Sequence, residues 1–410
     1  MPSVVLDGDP VPADGSLPAG SLAGAGSRPF GFYVHVPFCT TRCGYCDFNT
    51  YTAAELRSRD GGAVASPATY ADQAAAEVRF ARRVMGAAAA TVGTVFFGGG
   101  TPTLLPPEDL GRVLAAIGAE FGLAPGAEVT TEANPETVDR DYLLRLRDAG
   151  FTRVSFGMQS ARPEVLHILD RTHTPGRPQQ CVAWAREAGF DHVNLDLIYG
   201  TPGETDTDWK DSLDAAIGAD PDHVSAYSLI VEDGTRLAAR VRRGELAAPD
   251  DDAMADRYLM ADDALAAAGY TAYEVSNWAR GTAARSRHNL LYWTGGDWWG
   301  VGPGAHSHVG GVRWWNVKHP AAYAARIAGG VSPGHAREVL GDADRRFERI
   351  LLELRIAEGC PLDLLDGAGR AAAERAVADG LLDPSAHARG RAVLTRRGRL
   401  LADAVVRDLT

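Results

Sequence analysis

Short apolar runs rich in β-branched and aromatic residues alternate along this chain with longer stretches whose apolar residues have helical spacing. This alternation predicts βαβ units, in which each helix connects two parallel strands of one sheet. Two predicted helices end in AGF, at 149–151 and 188–190, where glycine closes the helix in a left-handed conformation. The predicted strands are 31–36, 92–97, 128–132, 153–156, 192–198 and 223–229, and the clearest predicted helices are 70–85, 108–121, 139–148 and 209–217.

Six such units predict an α/β fold, a partial (β/α)6 barrel of the TIM type. A doubly wound open sheet is the alternative, because the pattern alone does not show how the sheet curves. We predict four regions. Residues 1–28, rich in Gly, Pro, Ala and Ser, form a mobile N-terminal tail, 29–235 the barrel, 236–335 an accessory region, and 336–410 a small helical, winged-helix-like domain.

Composition limits the class of protein. The 410 residues are 45% hydrophobic and carry a net charge of −12, which is typical of a soluble globular protein and disfavours binding to nucleic acid. The basic residues Arg396, Arg397 and Arg399 suggest a DNA-binding winged helix, but the acidic balance favours a solvated, packing face. Without an apolar run of membrane-spanning length or a signal peptide, we expect a cytoplasmic protein.

Three of the five cysteines lie within eight residues, as Cys39, Cys43 and Cys46. Their C-x3-C-x2-C spacing falls in the loop directly after the first predicted strand. A structural zinc site needs a fourth ligand, and no histidine or cysteine follows at suitable spacing, because residue 48 is Phe48. Three thiolates on one loop instead suit a [4Fe–4S] cluster with one open iron. Cys181 and Cys360 stand alone and are expected to be buried small apolar residues.

The second predicted strand runs into three glycines in TVFFGGGTPTLL, residues 94–105. Glycine lets backbone amides approach a ligand closely, because no side chain obstructs them. By itself a glycine-rich turn is weak evidence for a binding site. The turn becomes stronger evidence for a binding site because it lies one strand after the cysteine loop.

Together these two motifs resemble the radical S-adenosylmethionine (SAM) superfamily, and residues 31–320 resemble its oxygen-independent coproporphyrinogen III oxidase branch. The resemblance implies that the open iron binds SAM, whose reductive cleavage gives a 5′-deoxyadenosyl radical. Glu132, Gln159 and Asp196 fall at or near strand ends, where barrels place active sites. The SAM-contacting positions implied by matching strings are Tyr33, Tyr45, Gly99, Gly100, Thr101, Glu132, Gln159, Arg171 and Asp196.

Two departures separate the chain from the oxidase. The oxidase has a fourth cysteine where this chain has Phe48, and an N-terminal segment that helps to enclose its substrate. The chain is more similar to the shorter HemW-type heme chaperones, which have CxxxCxxCxF and a later HNxxYW string. That string is HNLLYW here, and the resemblance implies heme contacts by His288, Tyr292 and Trp293. His306 matches a position near SAM, and His308 is a further candidate heme neighbour.

We therefore expect a protein that holds a [4Fe–4S] cluster and SAM, binds heme and passes it to apo-hemoproteins. Respiratory recipients at the membrane surface follow from the resemblance alone, and a homodimer is left open. The alternative function is radical SAM decarboxylation of coproporphyrinogen III to protoporphyrinogen IX. The sequence leaves open whether SAM is cleaved.

Overall fold

A computed structural model describes residues 8–56, 66–171 and 173–410. The strands in those residues are β1 (Asp9–Pro10), β2 (Phe30–Val36), β3 (Val92–Gly99), β4 (Leu123–Ala133), β5 (Arg153–Gln159), β6 (His192–Tyr199), β7 (His223–Ser228), β8 (Thr271–Glu274), β9 (Asn277–Ala279), β10 (Asp297–Val301), β11 (His306–Val309), β12 (Val312–Asn316), β13 (Gly334–Val339), β14 (Cys360–Pro361) and β15 (Arg391–Ala392).

The helices of the same residues connect and cover these strands. They are α1 (Pro67–Met85), α2 (Pro107–Phe121), α3 (Arg140–Asp148), α4 (Pro163–Ile168), α5 (Arg177–Glu187), α6 (Asp206–Gly218), α7 (Arg236–Arg242), α8 (Asp251–Ala267), α9 (Arg287–Trp293), α10 (Pro320–Ala328), α11 (Asp342–Glu353), α12 (Gly367–Ala378), α13 (Pro384–Ala388), α14 (Arg396–Leu400) and α15 (Ala402–Leu409). None of them is long and apolar enough to cross a membrane.

Strands β2 to β7 are parallel and lie side by side in the order of the sequence. A doubly wound sheet reverses its strand order at a switch point, whereas sequential order is the order of a barrel. The prediction of a partial (β/α)6 barrel is therefore confirmed. The barrel does not close, because β2 pairs with β10 and β7 pairs with β9.

The two faces of this sheet differ in character because side chains alternate along a strand. On β2, Phe32, Val34 and Val36 are fully buried against the covering helices. Tyr33 and His35 point to the other side, which we call the inner face. The same face carries polar residues of the neighbouring strands, so the inside of the partial barrel is a polar chamber.

Four antiparallel strands extend the sheet beyond the barrel, in the order β10-β11-β12-β13, and β10 itself runs parallel to β2. The segment between β7 and β10 contains two helices and a hairpin. Helices α7 and α8 are separated by GELAAPD, whose Gly and Pro interrupt the helix, and β8 and β9 form an antiparallel hairpin.

The expectation of a mobile tail is wrong for residues 8–28, while residues 1–7 lie outside the described chain. Strand β1 pairs with β13, and Leu17 and Leu22 pack on the main core. Arg28 Nε lies 2.6 Å from Oδ2 of the fully buried Asp297. The composition did not reveal this packing, because the segment is held by backbone pairing and one ion pair rather than by a regular apolar face.

The C-terminal helices surround a small apolar core of their own, which includes Ile350, Leu354 and Val405. The strands β14 and β15 form a two-stranded sheet beside it. Arg396 and Arg399 of the basic run both pair with Asp262 on α8, at 3.0 and 3.1 Å. These two arginines therefore attach the C-terminal helices to the rest of the chain.

Candidate functional site

The three clustered cysteines lie on the loop that follows β2, at the carboxyl end of the parallel sheet. Backbone hydrogen bonds hold this loop at several points. The Cys39 amide donates to the Tyr51 carbonyl at 3.0 Å, and the Gly44 amide donates to the Leu169 carbonyl at 3.0 Å. The Leu237 amide donates to the Gly44 carbonyl at 2.9 Å. The loop is thus fixed against the segments that follow β5 and β7.

Side-chain donors from two other segments of the chain reach the cysteine sulfurs. Thr101 Oγ1, after β3, lies 3.9 Å from Cys39 Sγ, and Arg171 Nη1, after α4, lies 3.7 Å from Cys43 Sγ. Hydrogen bonds and positive charge at thiolate sulfurs are features that tune iron–sulfur clusters. This arrangement suits sulfurs that carry negative charge.

The thiols fit a cluster better than a single metal ion. Burial raises the pKa of Cys39, and it raises the pKa of Cys46 to about 11, so a strong cation is needed to hold them as thiolates. Among the described residues no three ligand side chains converge on one ion position. A cubane places each thiolate on its own iron and needs no such convergence. A cavity of about 560 Å³ beside the loop is lined by Cys43, Cys46 and Phe48, among others.

The glycine-rich loop after β3 packs against the cysteine loop. A Cβ on Gly99 would lie 2.5 Å from the His35 ring, and one on Gly100 would lie 2.5 Å from the Phe38 carbonyl oxygen. The Gly99 amide donates to Glu132, and the amides of Gly100 and Thr101 donate to the carbonyls of Val36 and Phe38. Glycine is required for loop packing.

Two carboxyl groups face each other across the barrel mouth. Desolvation and the neighbouring Asp196 raise the pKa of Glu132 to about 8. Desolvation also raises the pKa of Asp196, although Ser155 Oγ at 2.8 Å and Asn194 Nδ2 at 2.7 Å donate to its oxygens. Because both pKa values are raised, the nearby cations of the protein do not fully balance the negative charge that the pair would carry when ionised. The pair suits a positively charged ligand.

The end of β5 carries two further signs of a ligand site. Gln159 adopts φ +65°, a conformation that is costly for a non-glycine residue and that is concentrated at functional sites. Arg171 donates from Nη2 to the Gly157 carbonyl at 2.8 Å, while its buried Nε has no partner among the described residues. Tyr45 is half-buried and packs against Leu237 and other apolar residues.

His35 is a residue of this site that the sequence interpretation missed. Its Nδ1 lies 3.0 Å from the Tyr33 hydroxyl, and its Nε2 lies 2.9 Å from the Asn49 carbonyl in the cysteine loop. Burial lowers the pKa of His35 to about 4, so the ring is neutral. The signal was available, since His35 is two residues after Tyr33 on a strand and must share its face.

The HNLLYW motif forms α9, which docks at the other end of the barrel. Its first residue, His288, is 1% exposed and is fixed at both ring nitrogens. Nδ1 lies 2.9 Å from Thr94 Oγ1, and Nε2 lies 2.8 Å from the Tyr292 hydroxyl. The ring stacks on Phe96 with a centroid distance of 5.2 Å, and burial lowers its pKa to about 3. The amides of Arg287 and His288 donate to the Glu128 carboxylate.

The remaining aromatic residues of the motif point in different directions. Tyr292 packs edge-on against Trp298 of β10 at 4.6 Å, toward the inner face. Trp293 lies near the carboxyl group of Glu274, at the hairpin β8–β9. His306 is exposed on β11, and His308 is held by the Gly296 carbonyl at 3.0 Å.

Residues 33–216 match the Radical SAM superfamily. The chain is also 55% identical over 388 residues to the Heme chaperone HemW of Mycobacterium tuberculosis (strain ATCC 25618 / H37Rv), which covers 95% of this chain and 96% of that protein. The chain belongs to the HemW family. The Heme chaperone HemW of Bacillus subtilis (strain 168) is 32% identical over 330 residues, 80% of this chain and 83% of that one.

A solved structure supports the same fold. The coproporphyrinogen III oxidase HemN of Escherichia coli, a radical SAM enzyme, superposes with a TM-score of 0.78 over 97% of this chain and 94% of that chain. Its sequence identity is 23%, so this likeness shows the fold alone. Membership of the HemW family confirms the resemblance that the cysteine loop, the GGGTPT loop and HNLLYW suggested together.

Proposed function

We propose that this protein binds heme and delivers it to apo-hemoproteins. The observation that carries the proposal is the 55% identity, over 95% of the chain, to a protein named as a heme chaperone. We further propose that the protein works in the cytoplasm and that its recipients are respiratory hemoproteins at the membrane surface. Whether the protein forms a homodimer is left open.

A [4Fe–4S] cluster and SAM are the cofactors that radical SAM membership implies. We propose that Cys39, Cys43 and Cys46 hold the cluster, since their thiols share one fixed loop with donors at two of the sulfurs. If SAM is cleaved, the bound cluster would supply the electron for that step.

The proposed SAM site lies below that loop, inside the barrel mouth. SAM carries sulfonium and ammonium charges, which match the unbalanced pair Glu132 and Asp196. Arg171 has a free buried donor for an anionic group of the ligand. The other proposed contacts are Tyr33, Tyr45, Gly99, Gly100, Thr101 and Gln159.

The oxidase function is not favoured. Curated relatives with 32% and 55% identity are named as heme chaperones, whereas the likeness to the oxidase is 23% identical and speaks only for the fold. Phe48, 57% exposed, stands where the oxidase has its fourth cysteine.

The part that HNLLYW plays in heme binding is also a proposal. Iron ligation by His288 would require its bonds to Thr94 or Tyr292 to break and α9 to move from the barrel floor. Tyr292 can contribute without such movement, because it already contacts Trp298 on the inner face. A His288→Ala variant should weaken heme retention and leave the cluster absorbance intact.

The proposal is tested with the full-length protein, reconstituted under anaerobic conditions and loaded with hemin. Transfer to an apo form of a b-type cytochrome is followed by the holo-cytochrome spectrum, with albumin-bound heme as the control donor. We expect faster transfer from this protein than from albumin. In parallel, SAM, a reductant and coproporphyrinogen III should yield no protoporphyrin, while 5′-deoxyadenosine reports whether SAM is cleaved. Catalytic protoporphyrin formation, or failure to bind hemin, would refute the chaperone function.

A further inference from the structure

A path of hydrogen bonds crosses the inside of the barrel between the proposed SAM site and helix α9. It begins at Asp196 on β6, where Asn194 Nδ2 donates to Oδ1 at 2.7 Å. Asn194 Oδ1 lies 2.6 Å from Nδ1 of His223 on β7, and His223 Nε2 lies 2.7 Å from the Tyr273 hydroxyl on β8. The Ser286 amide donates to that hydroxyl at 3.0 Å. Four hydrogen bonds thus connect Asp196 to the residue that precedes α9.

The fold places these side chains in one water-free line. Asn194 and Asp196 are two residues apart on β6, so both side chains point to the inner face. His223 is the register partner of Asn194 on β7 and therefore shares that face. Asn194 and Ser286 are 3% exposed, and His223 and Tyr273 are 1% exposed. Hydrogen bonds in such surroundings polarise one another, so a change at one end of the path affects the bonds at the other.

The bonds of the path all run in the same direction. The NH2 end of the Asn194 amide donates to Asp196, which leaves its oxygen as the acceptor for His223. Burial holds the pKa of His223 well below its usual range, so the neutral ring carries one nitrogen-bound proton, and its partners assign that proton to Nδ1. Nε2 then accepts from the Tyr273 hydroxyl, whose oxygen accepts from the Ser286 amide. Every donor therefore points toward Asp196.

Both carboxyl oxygens of Asp196 are bonded to this path. Ser155 Oγ donates to Oδ2 at 2.8 Å and accepts from Asn194 Nδ2 at 2.6 Å. Asn194 therefore reaches one oxygen directly and the other through Ser155. A cationic ligand would hold Asp196 in its ionised form, and an ionised carboxyl group is the stronger hydrogen-bond acceptor. The charge of the ligand would thus strengthen the bonds that lead toward His223.

The other end of the path lies where α9 begins. Ser286 caps the helix, with its hydroxyl accepting from the Asn289 amide at 3.2 Å. The first two amides of the helix donate to the Glu128 carboxylate. The start of α9 is therefore attached to the barrel by Glu128 and by Tyr273, and the bond to Tyr273 belongs to the path that ends at Asp196.

We propose that Asn194, His223 and Tyr273 are positioning residues that couple ligand binding at Asp196 to the docking of α9. The inference rests on the proposed SAM site and adds that SAM bound there strengthens the attachment of α9 to the barrel. Coupling between two sites is reciprocal, so a docked α9 favours SAM by the same factor. The helix that carries HNLLYW would thereby respond to whether SAM is bound.

The test is hydrogen–deuterium exchange of the full-length protein, with its cluster reconstituted under anaerobic conditions, with and without SAM and without a reductant. Mass spectrometry of peptides covering 285–293 reports the exchange of the α9 amides. SAM should slow this exchange about fivefold in the unmodified protein. Tyr273→Phe and His223→Gln each interrupt the path, so SAM should change the exchange little in either.

Two further readouts distinguish coupling from a merely structural role. Because both substitutions interrupt one path, the double variant should lose no more of the SAM response than either single variant. By reciprocity, isothermal titration should show that Tyr273→Phe binds SAM about fivefold more weakly, although Tyr273 lies outside the proposed SAM site.

Tyr270→Phe is the matched control. The Tyr270 side chain is also buried, and its hydroxyl donates to the Pro221 carbonyl at 2.6 Å, outside the path to Asp196. This variant loses one buried hydrogen bond, as Tyr273→Phe does. SAM should slow its α9 exchange as much as in the unmodified protein.

The outcomes separate the coupling from the SAM site on which it rests. If the unmodified protein binds SAM without a change in α9 exchange, the coupling is overturned and the SAM site remains. The same conclusion follows if SAM slows exchange in Tyr273→Phe and His223→Gln as strongly as in the unmodified protein. Loss of the response in Tyr270→Phe would also overturn the assignment to this path. If the unmodified protein does not bind SAM, the proposed site fails and the coupling fails with it.

Discussion

The guanidinium of Arg171 joins Cys43 to the end of β5, with Nη1 3.7 Å from the cysteine sulfur and Nη2 2.8 Å from the Gly157 carbonyl. A side chain from the segment after α4 therefore places a permanent positive charge at a proposed cluster ligand. The same group has an unused donor, Nε, inside the barrel mouth. Arg171 connects the two proposed cofactor sites.

Replacing this charge should shift the electrochemistry of the cluster. In Arg171→Met we expect a lower reduction potential, because a nearby cation favours the more negative, reduced state. Arg171→Lys keeps the charge and should shift the potential less. Potentiometric titration followed by electron paramagnetic resonance measures both values. Equal potentials in the Met variant and the unmodified protein would show that Arg171 does not act on the cluster.

Removal of one proposed ligand should remove the cluster. Cys43→Ala is expected to lose most of its iron and its visible absorbance after reconstitution, since two thiolates do not hold a cubane. Cys181→Ala is the control, because Cys181 is fully buried in the core and is not one of the three cysteines of the loop. Iron and sulfide assays on both variants check the expectation. Full iron content in Cys43→Ala would contradict the proposed ligand set.

The unbalanced carboxyl pair should matter for SAM. Glu132→Gln removes a carboxyl group that a bound sulfonium or ammonium group would hold in its ionised form, so we expect SAM to bind about tenfold more weakly. Isothermal titration of the reconstituted protein gives the dissociation constant. Glu374→Gln, an exposed change in the C-terminal helices, should bind SAM normally. Unchanged affinity in Glu132→Gln would remove this carboxyl from the proposed site.

Burial of His288 predicts a definite dependence of stability on pH. Its pKa falls from 6.5 to about 3 in the folded protein, so below pH 6.5 the unfolded state binds more protons. This contribution is fully present above pH 6.5 and is lost as the pH falls toward 3, at up to about 1.4 kcal/mol per pH unit.

The comparison with His288→Gln isolates this contribution from those of other groups. The unfolding free energy of the variant should improve relative to the unmodified protein as the pH decreases from 6.5 to 4. Urea unfolding followed by tryptophan fluorescence measures the difference. A pH-independent difference for His288→Gln would mean that His288 titrates normally in the folded chain.

The sequence predicted the parallel strands closely, because their signal is local. The runs at 31–36 and 192–198 became β2 and β6 with changes of one residue, and glycine after α3 and α5 has the expected positive φ at Gly150 and Gly189. Helix α4, Pro163–Ile168, was missed, since its six residues are too few to show a helical period. For α5 the AGF at 188–190 predicted where the helix ends but not where it begins.

The position of the site residues was harder to predict than their identity. His288 and Tyr292 are four residues apart, a spacing that places them on one helix face, and the two side chains form a hydrogen bond of 2.8 Å. The depth of His288 depends on Thr94 and Glu128, which lie far away in the sequence. Such contacts are set by where α9 docks, and no periodicity within α9 reveals them.

The N-terminal segment offers a direct test of its packing. Arg28→Ala would leave the fully buried Asp297 without its ion-pair partner, although the Gly310 amide still donates to it at 2.9 Å. We expect a loss of about 1–3 kcal/mol in unfolding free energy. Arg389→Ala, an exposed arginine, should change stability little. Equal stability of Arg28→Ala and the unmodified protein would mean that the segment is not attached through this pair.

Strand β1 has a consequence for the behaviour of the protein at high concentration. It covers part of the outer edge of β13, pairing Asp9 with Arg337 and Pro10 with Ala336, and its proline lacks the amide that a further strand would need. An uncovered edge strand is a template on which another polypeptide can add and start an aggregate. Strand β1 therefore hinders the addition of strands from other molecules to this edge of the sheet.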